Sequence, residues 1–276
     1  MSDNQAVADH YHHGSLLQAI TDALLTQGKS PADLRVADLA AVGEFHVGGQ
    51  QATEHLLEQL ALSAEHRLLD IGCGLGGSAR AIASYYGSSV TGLDLTPEYV
   101  ETGSTLNRWL GLQDKIELIC ADALNTPFQA ASFDRATLLH VGMNIDDKQG
   151  LFSELARVLK PGALFGIYDI LKTSSGDLVY PLPWASHGSI SFLGSIESYT
   201  VALQASGFEV LSSNNRRRFA QDFFAQMAAR ADAKKPGPAL GLHTLMQEQS
   251  PEKVQNLVAA IADKRVAPVE ILARRR

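Results

Sequence analysis

The sequence predicts an α/β protein: a seven-stranded, mainly parallel sheet with helices on both faces, a helical segment ahead of it and long excursions behind. Three observations lead there. Short, continuously apolar segments alternate with stretches of helical periodicity across residues 66–172, the rhythm of βαβ units with strands buried on both faces. A glycine-rich turn, Asp70-Ile-Gly72-Cys-Gly74-Leu-Gly76-Gly77, stands where the first strand passes into the first helix of that series. The 276 residues are 45% apolar and 19% charged, enough for one large core and short of two domains at roughly 150 residues each.

Ahead of the sheet, Leu16, Leu17, Ile20, Leu24 and Leu25 recur at helical spacing, and Gly28 stops that helix. A mixed segment ends in Glu44-Phe45-His46-Val47-Gly48-Gly49, and a second amphipathic helix covers about 50–60. Residues 1–65 thus form a helical cap, and 66–276 the main domain. Strands are expected at 67–71, 89–94, 116–120, 133–140, 163–171, 207–211 and 266–273. The second helix of the series opens at Thr96-Pro97, a capping residue followed by Pro at the first helical position. Further helices are expected at 148–159, ending before Lys160-Pro161-Gly162, and at 197–206. Two segments loosen the rhythm: 172–195, rich in Gly, Pro and Ser, and 216–264, mostly helical but broken at Lys235-Pro-Gly-Pro238. Pro268 has no N–H for a ladder, so it calls for an edge or bulged place in the last strand.

Composition excludes several functions. With 23 Lys plus Arg against 30 Asp plus Glu the net charge is −7, a poor match for nucleic acid or an anionic membrane. Two cysteines, Cys73 and Cys120, cannot make a disulfide framework and suit a reducing compartment. No apolar stretch is long enough to cross a bilayer, and Met1-Ser-Asp-Asn lacks the marks of a signal peptide. The expectation is a cytoplasmic monomer or homodimer with no nucleic-acid or membrane partner.

Gly72, Gly74 and Gly77 satisfy the G-x-G-x-x-G spacing of dinucleotide sites, and Asp94 stands where such sites place a ribose-binding acid. Asp70 argues the other way. A carboxylate two residues before the first glycine sets like charge beside a pyrophosphate, whereas it suits a cationic group such as an α-amino group. The plainer alternative is that Asp70 caps the following turn.

Leu68-Leu-Asp-Ile-Gly-Cys-Gly-Leu-Gly-Gly77 resembles the first motif of the class I S-adenosylmethionine-dependent methyltransferases. Asp94 after Val-Thr-Gly-Leu, Ala121-Asp122-Ala123 after the third strand, Phe133-Asp134 and Leu159-Lys-Pro-Gly162 agree with later motifs in order and spacing. The resemblance implies a Rossmann-like sheet whose chain-terminal strand is antiparallel, and S-adenosylmethionine as cofactor. It implies that Asp94 binds the ribose hydroxyls and that Asp122 reads the adenine amino group. Gly72, Cys73, Gly74, Leu95 and Ala123 would line the cofactor, and Asp70 would hold its amino group. Phe45-His-Val-Gly-Gly49 is similar to the small-molecule branch, which includes sarcosine/dimethylglycine, phosphoethanolamine and ubiquinone-type methyltransferases. There His46 and Gly49 would lie over the cofactor. Leu182-Pro-Trp-Ala185 resembles the substrate-covering insert of such enzymes, making 172–195 and 216–264 lid insertions. The expected function is methyl transfer to a small-molecule acceptor at N, O or C. A nucleic-acid methyltransferase and a non-catalytic cofactor-binding protein are the alternatives.

His140 follows the fourth strand, at the carboxyl edge where open parallel sheets bind ligands. It is a candidate general base, a cofactor contact, or a packing residue. Candidates for the acceptor pocket are Tyr11 as an aromatic lid, Asp169 at the end of the fifth strand, Trp184, His187, Phe192, Phe223, Phe224 and His243. His10, His12 and His13 lack partners at metal-ligand spacing and read as a solvated tail; no metal site is expected. Arg216-Arg-Arg218 reads as a solvated run or as a grip for an anionic acceptor.

Overall fold

The computed structural model describes residues 3–231, 239–246 and 249–276; the expected break at Lys235-Pro-Gly-Pro238 lies outside them. Seven strands form one sheet: β1 (Arg67–Ile71), β2 (Ser89–Asp94), β3 (Ile116–Cys120), β4 (Phe133–Leu139), β5 (Leu159–Lys172), β6 (Phe208–Asn215) and β7 (Val266–Arg275). Their order is β3-β2-β1-β4-β5-β7-β6. The pairs from β3 to β5 are parallel, and β7 runs antiparallel to both β5 and β6.

β1 shows why these residues make a two-sided sheet. Its side chains alternate, so Leu69 and Ile71 enter the core on one face and Leu68 the core on the other. Helices α1 (Asp3–Tyr11), α2 (Leu16–Thr26), α3 (Ala40–Gly43) and α4 (Gly49–Leu57) precede the sheet. Helices α5 (Gly77–Tyr86) and α6 (Pro97–Trp109) follow β1 and β2. Leu57 and Ile82, from α4 and α5, pack on the Leu68 face. The opposite face is covered by Leu151, Phe152, Tyr199 and Leu203 of α7 (Lys148–Val158) and α8 (Ile196–Ala205). The helices α9 (Arg217–Ala231), α10 (Leu242–Met246) and α11 (Ser250–Ala262) fill the segment between β6 and β7.

Three expectations change. The fifth strand starts at Leu159, because Leu159 already pairs with Phe133 before Lys160–Gly162 bulge and the ladder resumes at Arg135–Leu164. Pro268 is not on an edge, since β7 lies between β5 and β6. Its missing donor falls where β6 ends: Arg216 donates to the Pro268 carbonyl, while its own carbonyl accepts from Ala220 and starts α9. The start of the chain is no solvated tail. α1 seats Val7 in the core formed by Met143, Trp184 and Leu257. Glu98 in the first turn of α6 accepts from the backbone N–H groups of His13, Gly14 and Leu16, which fixes the α1–α2 turn.

Candidate active site

The carboxyl ends of β1, β2 and β4 open into a cavity of about 1560 Å³, part of it continuous with solvent. Two glycines shape its floor. Gly72 has φ +65, and a Cβ there would stand 2.1 Å from Val141 Cγ2, so the strand end and the β4 loop approach as only glycine permits. A Cβ on Gly77 would stand 1.9 Å from the Gly43 carbonyl oxygen. That backbone crossing brings Glu44 beside the glycine loop.

One half of the cavity is acidic. Asp70 is buried, accepting from Ser78 Oγ and, at 2.7 Å, from Thr137 Oγ1. Burial raises its carboxyl to about 6 against those two hydrogen bonds, and the Glu44 charge adds to the rise. Asp94 accepts from Gly74 N and Thr96 N, both at 2.9 Å, one on each carboxylate oxygen. Asp122 accepts from Leu124 N at 2.9 Å and from Asn4 Nδ2 at 2.7 Å. Each carboxylate oxygen has two lone pairs, so these contacts fix the acids and leave acceptor capacity toward the cavity. At Gly74 an added Cβ would meet nothing nearer than Tyr99 Cδ2 at 4.0 Å, which leaves the loop backbone open to a ligand. Three positioned acids, an open glycine loop and no Lys or Arg among the described lining residues fit a polyhydroxylated cation of the S-adenosylmethionine type.

Behind the acids lies a histidine pair. Glu44 Oε2 is 3.0 Å from His46 Nε2 and accepts from Thr53 Oγ1 at 2.7 Å; all three residues are buried. His46 Nε2 is also 3.0 Å from Thr53 Oγ1. His140 follows β4 with φ +55, and its N–H donates to the Tyr168 carbonyl. Its ring stacks on Tyr168 with centroids 5.2 Å apart, and the His46 ring meets it edge-on at 5.7 Å. His46 Nδ1 and His140 Nε2 are buried and have no protein partner. Burial, then the neighbouring His46, holds His140 well below the ordinary imidazole range, so it stands neutral.

The other half is apolar, lined by Val7, Met143, Trp184, Phe223, Phe224 and Leu257. Tyr11 closes it, its hydroxyl donating to Asn144 Oδ1 at 3.0 Å; burial and the Asp94 charge raise that phenol. Trp184 donates from Nε1 to Ser191 Oγ at 2.9 Å, which fixes its plane. Both lid segments expected from sequence reach this wall, with Trp184 from 172–195 and Phe223 and Phe224 from 216–264.

The cavity gathers His46, Asp70, Gly72, Cys73, Gly74, Asp94, Leu95, Asp122, Ala123, His140, Tyr11 and Trp184. Six other candidates lie elsewhere. Gly49 sits in the first turn of α4, outside the lining, and the space beside Gly48 is filled by the Phe219 ring. Asp169 is fully buried beneath the β4 loop, donating nothing to the cavity and accepting from Tyr199 at 2.6 Å. His243 and His187 are exposed; α10 turns Leu245 and Met246 inward instead of His243. Phe192 is outside the lining, and Arg216 pairs with Glu270 rather than with a ligand. His10 bonds Ser186 Oγ and the Pro183 carbonyl, so α1 is pinned to the lid. Sequence reasoning passed over Asn4, Glu44 and Asn144; only the Glu44-x-His46 spacing, with Thr53 a helical stretch later, hinted at one of them. Among the described residues no group of three or more His, Cys, Asp or Glu is placed to hold a metal, and no helix is long and apolar enough to cross a membrane.

This fold and acid-lined glycine loop define a class I S-adenosylmethionine-dependent methyltransferase, and comparison with known proteins agrees. The chain belongs to that family. The methyltransferase domain family matches residues 69–167. The chain is 30% identical to Methyltransferase GfsG of Streptomyces halstedii over 212 residues, 75% of this chain and 74% of that protein. It is 39% identical over 121 residues to 24-methylenesterol C-methyltransferase 2 of Oryza sativa subsp. japonica, covering 44% of this chain and 33% of that one. The match thus spans only a third of the rice protein's length. Geranyl diphosphate C-methyltransferase from Streptomyces coelicolor, solved with Mg2+, geranyl-S-thiolodiphosphate and S-adenosyl-L-homocysteine, superposes with TM-score 0.72 over 100% of this chain and 99% of that one, at 18% identity. The cofactor of the family is S-adenosylmethionine.

Proposed function

We propose that this chain transfers a methyl group from S-adenosylmethionine to a neutral small molecule with a largely apolar body. The single observation that carries the acceptor class is the cavity's division. Acids line the cofactor half and aromatic and aliphatic side chains the other, with no Lys or Arg among the described lining residues to meet a phosphate. The rice relative is named for a sterol and the superposed Streptomyces coelicolor enzyme for geranyl diphosphate; the apolar wall suits the hydrocarbon part of such acceptors, and no cationic side chain among the described lining residues meets a diphosphate.

Asp70 holds the cofactor's amino group, Asp94 its ribose, and Asp122 its adenine. Bound there, S-adenosylmethionine supplies an electrophilic methyl on a positively charged sulfur. Around it, Tyr11, Trp184 and α1 exclude water, and His140 stands at the transfer point. Alignment and proximity of that kind supply roughly 7–11 kcal/mol of a displacement barrier. The net charge of −7 supports a protein that works without nucleic acid, and the two free cysteines support the cytoplasm. Monomer and homodimer both suit the reading.

The test is titration calorimetry with S-adenosylmethionine, its demethylated product and NAD, followed by an acceptor panel read by mass spectrometry. Both sulfur ligands bind and NAD does not; neutral sterol or terpenoid alcohols gain a methyl. Turnover confined to phosphorylated acceptors would overturn the acceptor class, and binding of NAD alone would overturn the whole reading.

A further inference from the structure

We propose that Glu44 and His46 form a proton-accepting dyad: His46 Nδ1 takes the proton from a hydroxyl of the acceptor, and Glu44 fixes and charge-balances the imidazole. The inference rests on the methyl-transfer reading and deepens it, because it makes the acceptor an alcohol or phenol.

Hydrogen bonding sets the tautomer. Thr53 spends its hydroxyl proton on Glu44 Oε2, so its oxygen is free to accept. Glu44 Oε2 and Thr53 Oγ1 are then both acceptors 3.0 Å from His46 Nε2, which must therefore carry the hydrogen. Nδ1 is left with a bare lone pair, buried, without a protein partner, on a residue that lines the cavity. A buried lone pair without a partner costs stability unless a ligand donor meets it. His140 Nε2 is a second buried ring nitrogen without a protein partner, on a ring 5.7 Å away; with its hydrogen on Nε2, His140 donates to the same acceptor oxygen whose proton His46 takes.

The two histidines are not equivalent. A carboxylate backs His46, and an imidazolium formed there is stabilised as in other carboxylate–histidine pairs. No carboxylate bonds His140, which faces Tyr168 on one side and His46 on another; burial keeps it neutral. His140 is thus the hydrogen-bonding partner of the same oxygen and His46 the base. The remaining ionisable groups are Asp70 from β1 and Tyr168 from β5, whose ring meets His46 edge-on at 6.0 Å and whose phenol burial raises, with Arg80 from α5 acting on Glu44 rather than on the imidazole. None of the three bonds the imidazole.

In the step itself the acceptor's O–H pair stays on oxygen as its proton passes to His46 Nδ1. The oxygen bonds the methyl carbon, and the carbon–sulfur pair leaves with sulfur as a neutral thioether. The proton on His46 is released to water when the site opens.

The proposal is tested without relying on turnover alone. In protein labelled with 15N-histidine, His46 shows the Nε2–H tautomer, and Glu44→Gln shifts it toward a mixture. 4-Nitrophenol bound with the demethylated cofactor shows the absorbance of its ionised form in the wild type and not in His46→Gln. For an alcohol acceptor, His46→Gln and Glu44→Gln cut kcat by about 10²–10⁴ and ten- to hundredfold respectively, with cofactor Kd changed less than threefold. Should Glu44→Gln fail to fold, Thr53→Val removes the other partner of the same ring nitrogen and gives the smaller shift of tautomer. A tautomer indifferent to Glu44, un-ionised bound nitrophenol, or a defect wholly in cofactor Kd would overturn the dyad, the last returning His46 to cofactor binding. Absence of any methylated acceptor would instead overturn the methyl-transfer reading, leaving the tautomer and nitrophenol results to judge the dyad.

Discussion

Asn4 Nδ2 donates to Asp122 Oδ2 at 2.7 Å, a bond between residues 118 positions apart that ties α1 to the acid after β3. An adenine amino group and the Asn4 amide therefore draw on the same carboxylate. Asp122→Ala is expected to weaken S-adenosylmethionine binding by about 1.5–3 kcal/mol, since a hydrogen bond to a charged acceptor is lost. Asn4→Ala should cost no more than about 1 kcal/mol of affinity, yet speed hydrogen exchange across 3–11. Calorimetry and exchange mass spectrometry distinguish the two; equal affinity losses would mean that Asn4 itself touches the ligand.

Asp94 has a structural duty as well as a binding one. Its oxygens hold Gly74 N and Thr96 N, so Asp94→Ala leaves two backbone donors without their acceptor. Expected are a lower melting temperature and a cofactor Kd raised at least tenfold. Asp94→Asn keeps one acceptor oxygen and should restore much of the melting temperature but little of the affinity. A variant with normal Kd would show that the ribose is held elsewhere.

The buried Asp70 carboxyl gives stability a pH signature. Its folded value, about 6, lies above the unfolded 3.8, so between those values the folded state binds a proton that the unfolded state does not. Stability contributed by this group is then full below pH 4, falls through the window, and is lost above pH 6. Asp70→Asn removes the penalty. Denaturant unfolding of the cofactor-free protein should show the variant more stable at pH 7 by up to about 3 kcal/mol, converging with wild type near pH 4, while its cofactor binding weakens. A difference independent of pH would contradict the assignment.

Gly72→Ala tests the loop crossing. The new methyl meets Val141 Cγ2 at 2.1 Å in a backbone conformation that L side chains rarely adopt. Destabilisation of roughly 2–4 kcal/mol is expected, the sum of backbone strain and overpacking. Adding Val141→Ala should recover the packing part only, and thermal melts of the single and double variants measure both.

Much of this was legible in the chain because parallel strands are apolar on both faces and the glycine loop is a local backbone requirement. Leu68–Ile71 and Gly72–Gly77 needed nothing distant to be recognised. α1 was not legible, since Val7 is the only buried apolar side chain among its described residues and its anchors, such as the His10–Ser186 pair 176 positions apart, are tertiary. Glu44 was hidden for the same reason: only the Gly43–Gly77 crossing brings it to the loop. His243 failed on helix phase. In the short α10 the inward turn falls on Leu245 and Met246, two and three positions later.

The reversed direction of β7 decides where anything joined to this chain would stand. β7 ends with Arg275 opposite Phe208, the first residue of β6, and Arg274 opposite Leu164 near the start of β5. That is the amino edge of the sheet, the far side from the cavity. Asp3, by contrast, begins the helix whose Asn4 touches Asp122. A fusion partner or surface tether attached after Arg276 leaves the mouth of the cavity clear, whereas one attached ahead of Asp3 starts at its rim.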